Sequence, residues 1–303
     1  MIDIIGDIHG HADELQALLK KLGYTKKGHS FSHPERKALF VGDYVDRGQK
    51  IRETLEIVRT MVESDHAIAL MGNHEYNALC FHFENKNGGH LRTHSIKNII
   101  QHYDTLKQFQ NSQSEYENYL EWFKSLPLYY ETDNFRAAHA CWDYKSIDFL
   151  RKNLVNNRLT DELIYQSVKE GTALNLSIEH TLKGKELRLP KGVDFTDKDG
   201  TTRTDIRIKW WENSSDMTYK SISVEGSEII PEIAIDSASL NTLDHYLNED
   251  KKVFFGHYWL NGKPSILKSN ICCLDYSVAN GGNLVAYRLD DKEYLSNDNL
   301  VFV

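Results

Sequence analysis

The chain opens with an apolar run and then reads GDIHGH at residues 6–11; a related pattern follows twice, as GDYVDRG at 42–48 and GNHE at 72–75. Each fragment begins with a Gly-Asp or Gly-Asn turn and directly follows a short run of apolar residues. Such runs, bounded by Gly, Asp or His, are typical of buried β-strands. Since ligands bind beyond the carboxyl ends of strands in open α/β sheets, we expect the three polar turns to meet at one edge of a sheet.

The remainder of the pattern predicts an α/β fold. Buried strands are predicted at MIDII (1–5), KALFV (37–41), HAIAL (66–70), FRAA (135–138) and KVFF (252–255). Residues 12–23 and 51–64 have the apolar periodicity of amphipathic helices, and further helices are predicted within 90–125. The segment 272–290 predicts two strands about a Gly-Gly turn. We expect one compact domain over 1–303, with an insertion at about 141–250.

Composition excludes several classes of protein. Of the 303 residues, 40% are hydrophobic and 26% charged, and no run is long enough to span a bilayer. A net charge of −8 argues against general nucleic-acid binding. Met1 already belongs to the first predicted strand, which leaves no room for a secretory signal, so we expect a cytoplasmic protein. Cysteines without CxxC spacing favour reduced thiols over structural zinc; they are Cys80, Cys141, Cys272 and Cys273.

Six side chains at the predicted strand ends can bind metal ions through nitrogen or oxygen. They are Asp7, His9, Asp43, Asn73, His139 and His257. This number suffices for two cations if Asp43 bridges them. Two cations about 3.5–4 Å apart can hold a phosphoryl group and lower the pKa of a shared water. The chemistry indicated is hydrolysis of a phosphate ester.

Each motif also has a simpler interpretation, because Asp and Asn after a strand are common turn residues and a lone His is usually a polar or capping group. Three Gly-led motifs in this order, followed by two further strand-end histidines, favour the functional interpretation. Seven other histidines lack the pattern, and we assign them to surface or packing roles: His29, His33, His66, His82, His90, His94 and His102.

The three motifs resemble those of the calcineurin-like metallophosphoesterases, and within them the phosphoprotein phosphatase branch, which has GDxHG, GDxVDRG and GNHE. FFGHY (254–258) resembles the later GH motif, and the segment from Leu274 resembles a strand pair of bacterial members, including diadenosine tetraphosphatases and polynucleotide-end phosphatases. The resemblance implies a four-layer αββα fold, a central β-sandwich flanked by helices, with an inserted cap-like segment.

The resemblance also implies a role for each site residue. One metal would be bound by Asp7, His9 and Asp43, and the other by Asp43, Asn73, His139 and His257. Arg47 would grip the phosphate, and His74, positioned by Asp46, would protonate the leaving oxygen. Asp275 is a candidate for orienting one of the histidines. At AHAC (138–141) the chain departs from the motif of the eukaryotic phosphatases of this branch. The second phosphate-binding arginine of those enzymes has no secure match in the chain.

The function implied is a metal-dependent phosphatase in which a metal-bridging hydroxide attacks phosphoserine, phosphothreonine or similar monoesters. Manganese is the expected metal, with iron or zinc as alternatives. Symmetrical cleavage of dinucleoside polyphosphates and removal of polynucleotide-end phosphates are the alternative activities. A non-catalytic phosphate-binding scaffold is a further alternative, which leaves the complete set of site residues unexplained.

The segment at about 181–220 is predicted to form a cap beside the metal centre, because it lies between two proposed ligands of one metal. LRLPKGVDF and DIRIKWW predict a small β-element, with TDKDGTTRTD (196–205) as an exposed turn. Cations of this segment could attract a phosphorylated substrate; they are Lys183, Lys185, Arg188, Lys191, Arg203, Arg207 and Lys209. Trp210 and Trp211 could contact the substrate or simply anchor the segment to the core, and both interpretations stay open here.

Overall fold

The computed structural model of the chain describes residues 1–196, 202–224, 230–240 and 243–303. Its strands are β1 (Ile2–Ile5), β2 (Thr25–Lys27), β3 (Ser30–Ser32), β4 (Lys37–Phe40), β5 (Ala67–Ala69), β6 (Tyr129–Glu131), β7 (Phe135–Ala138), β8 (Glu186–Arg188), β9 (Phe195–Thr196), β10 (Thr202–Arg203), β11 (Asp205–Arg207), β12 (Lys252–Phe255), β13 (Ile271–Cys273), β14 (Asp275–Tyr276), β15 (Asn283–Arg288) and β16 (Leu300–Phe302). Its helices are α1 (Ala12–Lys21), α2 (Ile51–Glu63), α3 (Asn73–His82), α4 (Ile96–Phe109), α5 (Gln113–Lys124), α6 (Tyr144–Asn153), α7 (Asp161–Ser167), α8 (Ala173–Lys183), α9 (Tyr219–Ile222) and α10 (Ser237–Leu240).

Two larger sheets contain the five buried strands predicted at 1–5, 37–41, 66–70, 135–138 and 252–255 and the strands predicted within 272–290. The first has the order β14-β15-β1-β4-β5, with β16 beside β15, and the second has the order β13-β12-β7-β6. Strands β1, β4 and β5 are parallel, and so are β7, β12 and β13. Parallel strands bring their carboxyl ends to the same edge, which places the polar motifs of each sheet together.

Alternation of side chains along the strands explains why the two sheets face each other. Ile4 of β1 and Phe254 of β12 belong to one buried cluster between the sheets. Their neighbours Ile5 and Phe255 point to the opposite faces and join a second cluster with the apolar sides of α1, α2, α6 and α8. A sheet buried on both faces needs an apolar residue at successive positions, as these strands have. The predicted αββα architecture is confirmed.

One predicted strand pair differs in detail. The run from Cys272 to Tyr276 does not form a single strand, because β13 pairs with β12 in the second sheet whereas β14 pairs with β15 in the first. Leu274 lies at the crossing and its N–H donates to the carbonyl of Phe255 at 2.7 Å. A Cβ at Gly6 would lie 2.1 Å from the carbonyl oxygen of Leu274, so glycine is required there.

Residues 141–250 contain two different kinds of structure. Helices α6 and α8 pack on the main core, whereas nine buried apolar residues between Leu187 and Ile235 form a small cluster of their own. The predicted β-element is confirmed by the antiparallel pairs β8–β11 and β9–β10. Half of the predicted turn at 196–205, residues 197–201, lies outside the described residues, and Thr202–Arg203 form β10 instead of a turn. Treating this region as an insertion in one domain stays a prediction.

Two further expectations concern cysteines and membrane spans. All four cysteines are buried and free. Among the described residues, none of the helices has the length and apolar character that crossing a bilayer requires.

Candidate active site

The predicted strand-end side chains converge at the edge where the two sheets meet. Asp7 and His9 follow β1, Asp43 follows β4, and Asn73 begins α3 after β5. The second sheet contributes His139 after β7 and His257 after β12. All six side chains are buried, with at most 9% of the residue exposed. A set of carboxylates and imidazoles at this depth requires a compensating partner.

The loops that carry these side chains have unusual backbone geometry. His9, Asp43 and His257 have φ values of 46°, 55° and 72°, a region that L-residues seldom adopt. Such strain is typical of functional sites, where the surrounding structure enforces it. Close approach of the loops explains a neighbouring glycine: a Cβ at Gly256 would lie 1.8 Å from Oδ1 of Asp7.

Asp43 and Asn73 occupy the centre of the constellation. Oδ2 of Asp43 lies 3.4 Å from Nε2 of His9 and 3.4 Å from Nε2 of His139. Oδ1 of Asn73 lies 3.0 Å from Nε2 of His139 and 2.8 Å from Nδ1 of His257. Asp43 therefore belongs to two groups of potential metal ligands, one with His9 and His74 and the other with His139 and His257.

Two of the imidazoles are held with a defined nitrogen towards this centre. Nδ1 of His9 lies 3.0 Å from the carbonyl of Val45, and Nδ1 of His139 lies 2.9 Å from the carbonyl of Val41. Because a carbonyl only accepts, Nδ1 is the protonated nitrogen in each ring. Nε2 of each ring is thereby directed at Asp43, because a hydrogen bond from Nδ1 to a backbone carbonyl orients a histidine ring.

Burial and like charge make the centre electrostatically demanding. Burial, with Asp275 and Asp43 nearby, raises the pKa of Asp7 well above its usual range. Burial lowers the pKa of His9 to about 3, so this ring is neutral. Burial also opposes a charge on His139, but Asp43 and Asp7 outweigh it and raise its pKa to about 10. A bound cation would displace protons from Asp7 and His139.

His74, Asp46 and Arg47 lie beside this centre. Nδ1 of His74 lies 2.5 Å from Oδ2 of Asp46. The backbone N–H of His74 donates to Oδ1 of Asp43 at 2.9 Å. Nε2 of His74 faces Nη2 of Arg47 at 3.4 Å. The Arg47 guanidinium stacks on the ring of Trp259, 3.7 Å from its centroid. The structure thus brings together Arg47 of the GDYVDRG motif and His74 of the GNHE motif.

Glu75 is the last residue of the GNHE motif, and the sequence pattern assigned it no role. It is fully buried, and its carboxylate accepts from the N–H groups of Asp43, Tyr44 and Gly72 at 2.9, 2.7 and 3.0 Å. Burial, with Asp43 nearby, raises its pKa to about 7. Glu75 therefore fixes the loop that carries Asp43. Its position three residues after the helix cap at Gly72 was the available signal.

Asp275 contacts backbone groups. Its Oδ2 accepts from the N–H of Trp259 at 2.7 Å and its Oδ1 from that of Ser277 at 3.0 Å. These bonds hold the loop that carries His257 and Trp259. Any orienting effect of Asp275 on His257 therefore acts through the backbone.

The structure corrects the assignment of His102 to a surface or packing role. His102 is buried, with 3% exposed, and its Nδ1 lies 2.7 Å from Oδ1 of Asp46. The sequence does not indicate this contact, because His102 lies in the middle of α4 and far from any Gly-led motif. Its spacing of three residues from Thr105, which also bonds Asp46, becomes informative only once the helix is placed.

The segment that contains β8 and β11 reaches the site through Arg207 at the end of β11. Its Nη1 lies 3.2 Å from Nε2 of His257. Trp210 packs on Phe255, with 4.9 Å between ring centroids, and its Nε1–H donates to the carbonyl of Ala140 at 3.0 Å. Trp211 packs on the same phenyl ring at 5.3 Å. Both tryptophans are buried, which favours anchoring over substrate contact.

Comparison with known proteins defines the family. The model of the calcineurin-like phosphoesterases matches residues 1–258. The chain therefore belongs to the calcineurin-like phosphoesterase family, whose members use divalent metal ions.

Three individual relatives share between 15% and 37% of their aligned residues with this chain. A symmetrical bis(5'-nucleosyl)-tetraphosphatase from Marinomonas sp. (strain MWYL1) is 26% identical over 97% of this chain and 95% of its own. The asymmetrical bis(5'-nucleosyl)-tetraphosphatase PrpE from Geobacillus sp. (strain WCH70) is 37% identical over 46% of this chain, and the match spans little more than half, 56%, of that relative. A protein serine/threonine phosphatase structure from Saccharomyces cerevisiae matches all of this chain and 78% of its own with a TM-score of 0.51 and 15% identity, which shows a shared fold alone.

Proposed function

We propose that the protein is a dinuclear metal-dependent phosphatase that hydrolyses phosphate monoesters. The observation that supports this most directly is the position of Asp43, whose carboxylate belongs to both groups of potential ligands. Beside it, His74 is oriented by Asp46 and lies next to the Arg47 guanidinium. This is the arrangement needed to bind a phosphoryl group and protonate its leaving oxygen.

The residues present fit two divalent cations. Oδ1 of Asp7 and Nε2 of His9 are buried without a hydrogen-bond partner among the described residues, although burial of such atoms is costly. Asp7, His9 and Asp43 would hold one cation, and Asp43, Asn73, His139 and His257 the other. Nitrogen and oxygen ligands without thiolate suit manganese, and also iron or zinc. When bound, the cations would lower the pKa of a water and offset phosphate charge.

His74 is assigned to proton transfer although it lies near His9 and Asp43. Asp46 already occupies its Nδ1, and its Nε2 lies 4.0 Å from Asp43 but 3.4 Å from the Arg47 guanidinium. A cation at Nε2 would be repelled by that guanidinium. A phosphate ester held by Arg47 would instead place its leaving oxygen near Nε2.

Arg207 is the second cation that we assign to the phosphate. It is one of the seven cations predicted in the segment at about 181–220, and its guanidinium contacts a proposed ligand, His257. Lys185 is committed to Asp143 at 2.6 Å and Lys183 to Glu179 at 2.6 Å. A guanidinium beside His74 (Arg47) and one beside His257 (Arg207) suit bidentate phosphate binding.

Two substrate classes are supported by different observations. The buried hydrogen bonds of His74 favour monoesters with basic leaving groups, such as phosphoserine and phosphothreonine, because only these need a strong general acid. The relative that matches the full chain, a symmetrical bis(5'-nucleosyl)-tetraphosphatase, favours dinucleoside polyphosphates as the second candidate. Both reactions would use the same metal centre.

A substrate panel with manganese tests the proposal. The panel comprises a phosphothreonine peptide, p-nitrophenyl phosphate, a 3'-phosphorylated oligonucleotide and diadenosine tetraphosphate, with products identified by mass spectrometry. We expect the highest kcat/KM on the phosphopeptide. Release of two ADP molecules at a higher kcat/KM would establish the second candidate, and no hydrolysis with manganese, iron or zinc would refute an enzyme.

His74→Asn tests the assigned acid. Loss of general acid catalysis should reduce kcat by about 100-fold or more on an alkyl phosphate. The reduction should be much smaller on p-nitrophenyl phosphate, whose leaving group scarcely needs a proton. Equal reductions on the two substrates would contradict the assignment.

A further inference from the structure

Helix α4 presents two polar side chains to the aspartate that holds His74. His102 and Thr105 are three residues apart and therefore lie on one face of the helix. Nδ1 of His102 lies 2.7 Å from Oδ1 of Asp46, and the Thr105 hydroxyl donates to the same oxygen at 2.6 Å. The N–H of Asp46 donates in turn to Oγ1 of Thr105 at 2.9 Å. These contacts fix Asp46, whose φ is 68°.

The direction of each hydrogen bond follows from the charge of Asp46. Burial would raise the pKa of Asp46, but His102 and His74 outweigh burial and hold it well below its usual range. An ionised carboxylate only accepts, so both histidines donate from Nδ1. Nε2 of His102 faces the Tyr116 hydroxyl of α5 at 2.8 Å.

We propose that His102 is a positioning residue that holds Asp46, so that His74 presents Nε2 to the leaving oxygen. This inference rests on the proposed function. Simple packing does not explain the contacts, because both ring nitrogens of His102 have specific polar partners in a buried environment. Without His102, the Asp46 carboxylate would keep, among the residues that the structure describes, Thr105 alone on Oδ1 and would be free to rotate away from His74. Small misplacements of catalytic groups are costly to rate.

His102→Phe is the informative substitution, because it keeps an aromatic ring beside Phe81 but removes both polar contacts. We expect kcat on an alkyl phosphate to fall by about 10–100-fold, the usual cost of losing an orienting partner. KM should stay unchanged, and kcat on p-nitrophenyl phosphate should fall by less than about threefold, because that leaving group scarcely needs an acid. An equal loss on the two substrates, or none on either, would overturn the proposal.

His102→Asn is the matched rescue variant. Its side-chain amide can place an N–H near the position of Nδ1, so it should restore much of the alkyl phosphatase activity that His102→Phe loses. Tyr116→Phe removes only the outer hydrogen bond and should give a smaller loss with the same dependence on leaving group. If His102→Phe does not fold, this last variant decides, and unchanged alkyl phosphatase activity would count against the proposal.

NMR of the metal-free protein tests the geometry independently of turnover. The His74 Nδ1 proton that bonds Asp46 should give a downfield resonance in the wild type, which His102→Phe shifts or broadens and His102→Asn retains. An unchanged resonance in His102→Phe would refute positioning. Failure of the wild type to hydrolyse any phosphate ester would instead refute the proposed function, while the NMR comparison would still report whether His102 positions His74.

Discussion

The two carboxylate oxygens of Asp43 serve different parts of the proposed site. Oδ2 faces His9 and His139, whereas Oδ1 accepts from the His74 N–H. Burial would raise the pKa of Asp43, but the charge of His139, with smaller effects of His74 and His9, holds it well below its usual range. This single side chain therefore links both groups of metal ligands to the proton-transfer residues.

Asp43→Asn should consequently impair the protein more than loss of a ligand to one cation. Asparagine keeps the acceptor for the His74 N–H but removes the negative charge shared by both ligand groups. We expect kcat/KM to fall by more than roughly 100-fold, which is the upper end of the cost of losing a residue that only hydrogen-bonds a metal ligand. Metal content measured by mass spectrometry should fall for both cations. Asp7→Asn is the matched control, and an Asp43→Asn protein with two bound metals and normal turnover would exclude bridging.

The stacking of Arg47 on Trp259 leads to a second prediction. Cation–π contacts contribute about 0.5–2 kcal/mol, depending on their exposure to solvent. Trp259→Leu should therefore weaken phosphate binding by roughly 2- to 30-fold, measured as the inhibition constant of inorganic phosphate. Trp259→Phe keeps a ring beneath the guanidinium and should lose less. Identical inhibition constants for the three proteins would show that the stack does not prepare Arg47 for binding.

The sequence predicted the positions of some site residues but not of others. The strand-end positions of Asp7, His9 and Asp43 were predictable because apolar runs, Gly-led turns and polar side chains occur together. Glu75 and His102 were not, because each acts on a partner distant in sequence: Glu75 on backbone N–H groups and His102 on a carboxylate. Hydrogen bonds of this kind leave no periodicity in the sequence.

At the scale of elements, sequence patterns predicted strands better than their partners. The strands ending at the polar motifs formed as expected, since each is a short apolar run. The passage of residues 272–276 from one sheet to the other was not predictable, because a continuous apolar run carries no mark of where its hydrogen-bonding partner changes. The placement of Trp210 likewise depends on Phe255, 45 positions later in the chain as numbered.

Asp143 and Lys185 join helix α6 to the start of the inserted β-element. Oδ1 of Asp143 lies 2.6 Å from Nζ of Lys185, and the side chains are only 4% and 8% exposed. Oδ2 of Asp143 caps α6 by accepting from the Ser146 N–H at 2.8 Å. Asparagine is an equally good cap, so Asp143→Asn removes the negative charge that faces Lys185 and His180 but keeps the cap.

Asp143→Asn should destabilise the protein by about 3–5 kcal/mol near pH 7, because Lys185 is left buried without its counter-charge. Burial would raise the pKa of Asp143, but His180 and Lys185 outweigh it and lower the pKa. The stabilisation is therefore complete above the unfolded pKa of about 3.9 and is lost as the pH falls further. Urea unfolding should show the gap between the two proteins closing below about pH 4. A gap independent of pH would contradict this account.

At the scale of the whole molecule, the candidate site joins the two sheets. The first sheet supplies Asp7, His9, Asp43 and Asn73, whereas the second supplies His139 and His257. Ligands from both sheets face each other across the sandwich edge, as the bond between Asn73 and His257 shows. Binding of cations would therefore connect the two halves of the fold as well as supply chemistry.

Removal of divalent metal should accordingly reduce both activity and stability. Chelation should abolish phosphate ester hydrolysis, and manganese should restore it, because water is a weak nucleophile at neutral pH unless a cation lowers its pKa. A ligand that binds only the folded state stabilises it by about 2.7 kcal/mol at 100 times its Kd, so manganese should also raise Tm by several degrees. Asp43→Asn should lose most of this rise, whereas Asp13→Asn, an exposed carboxylate paired with Lys50, should retain it. Full activity after chelation, or a Tm that responds equally in the two variants, would place the metal dependence outside this site.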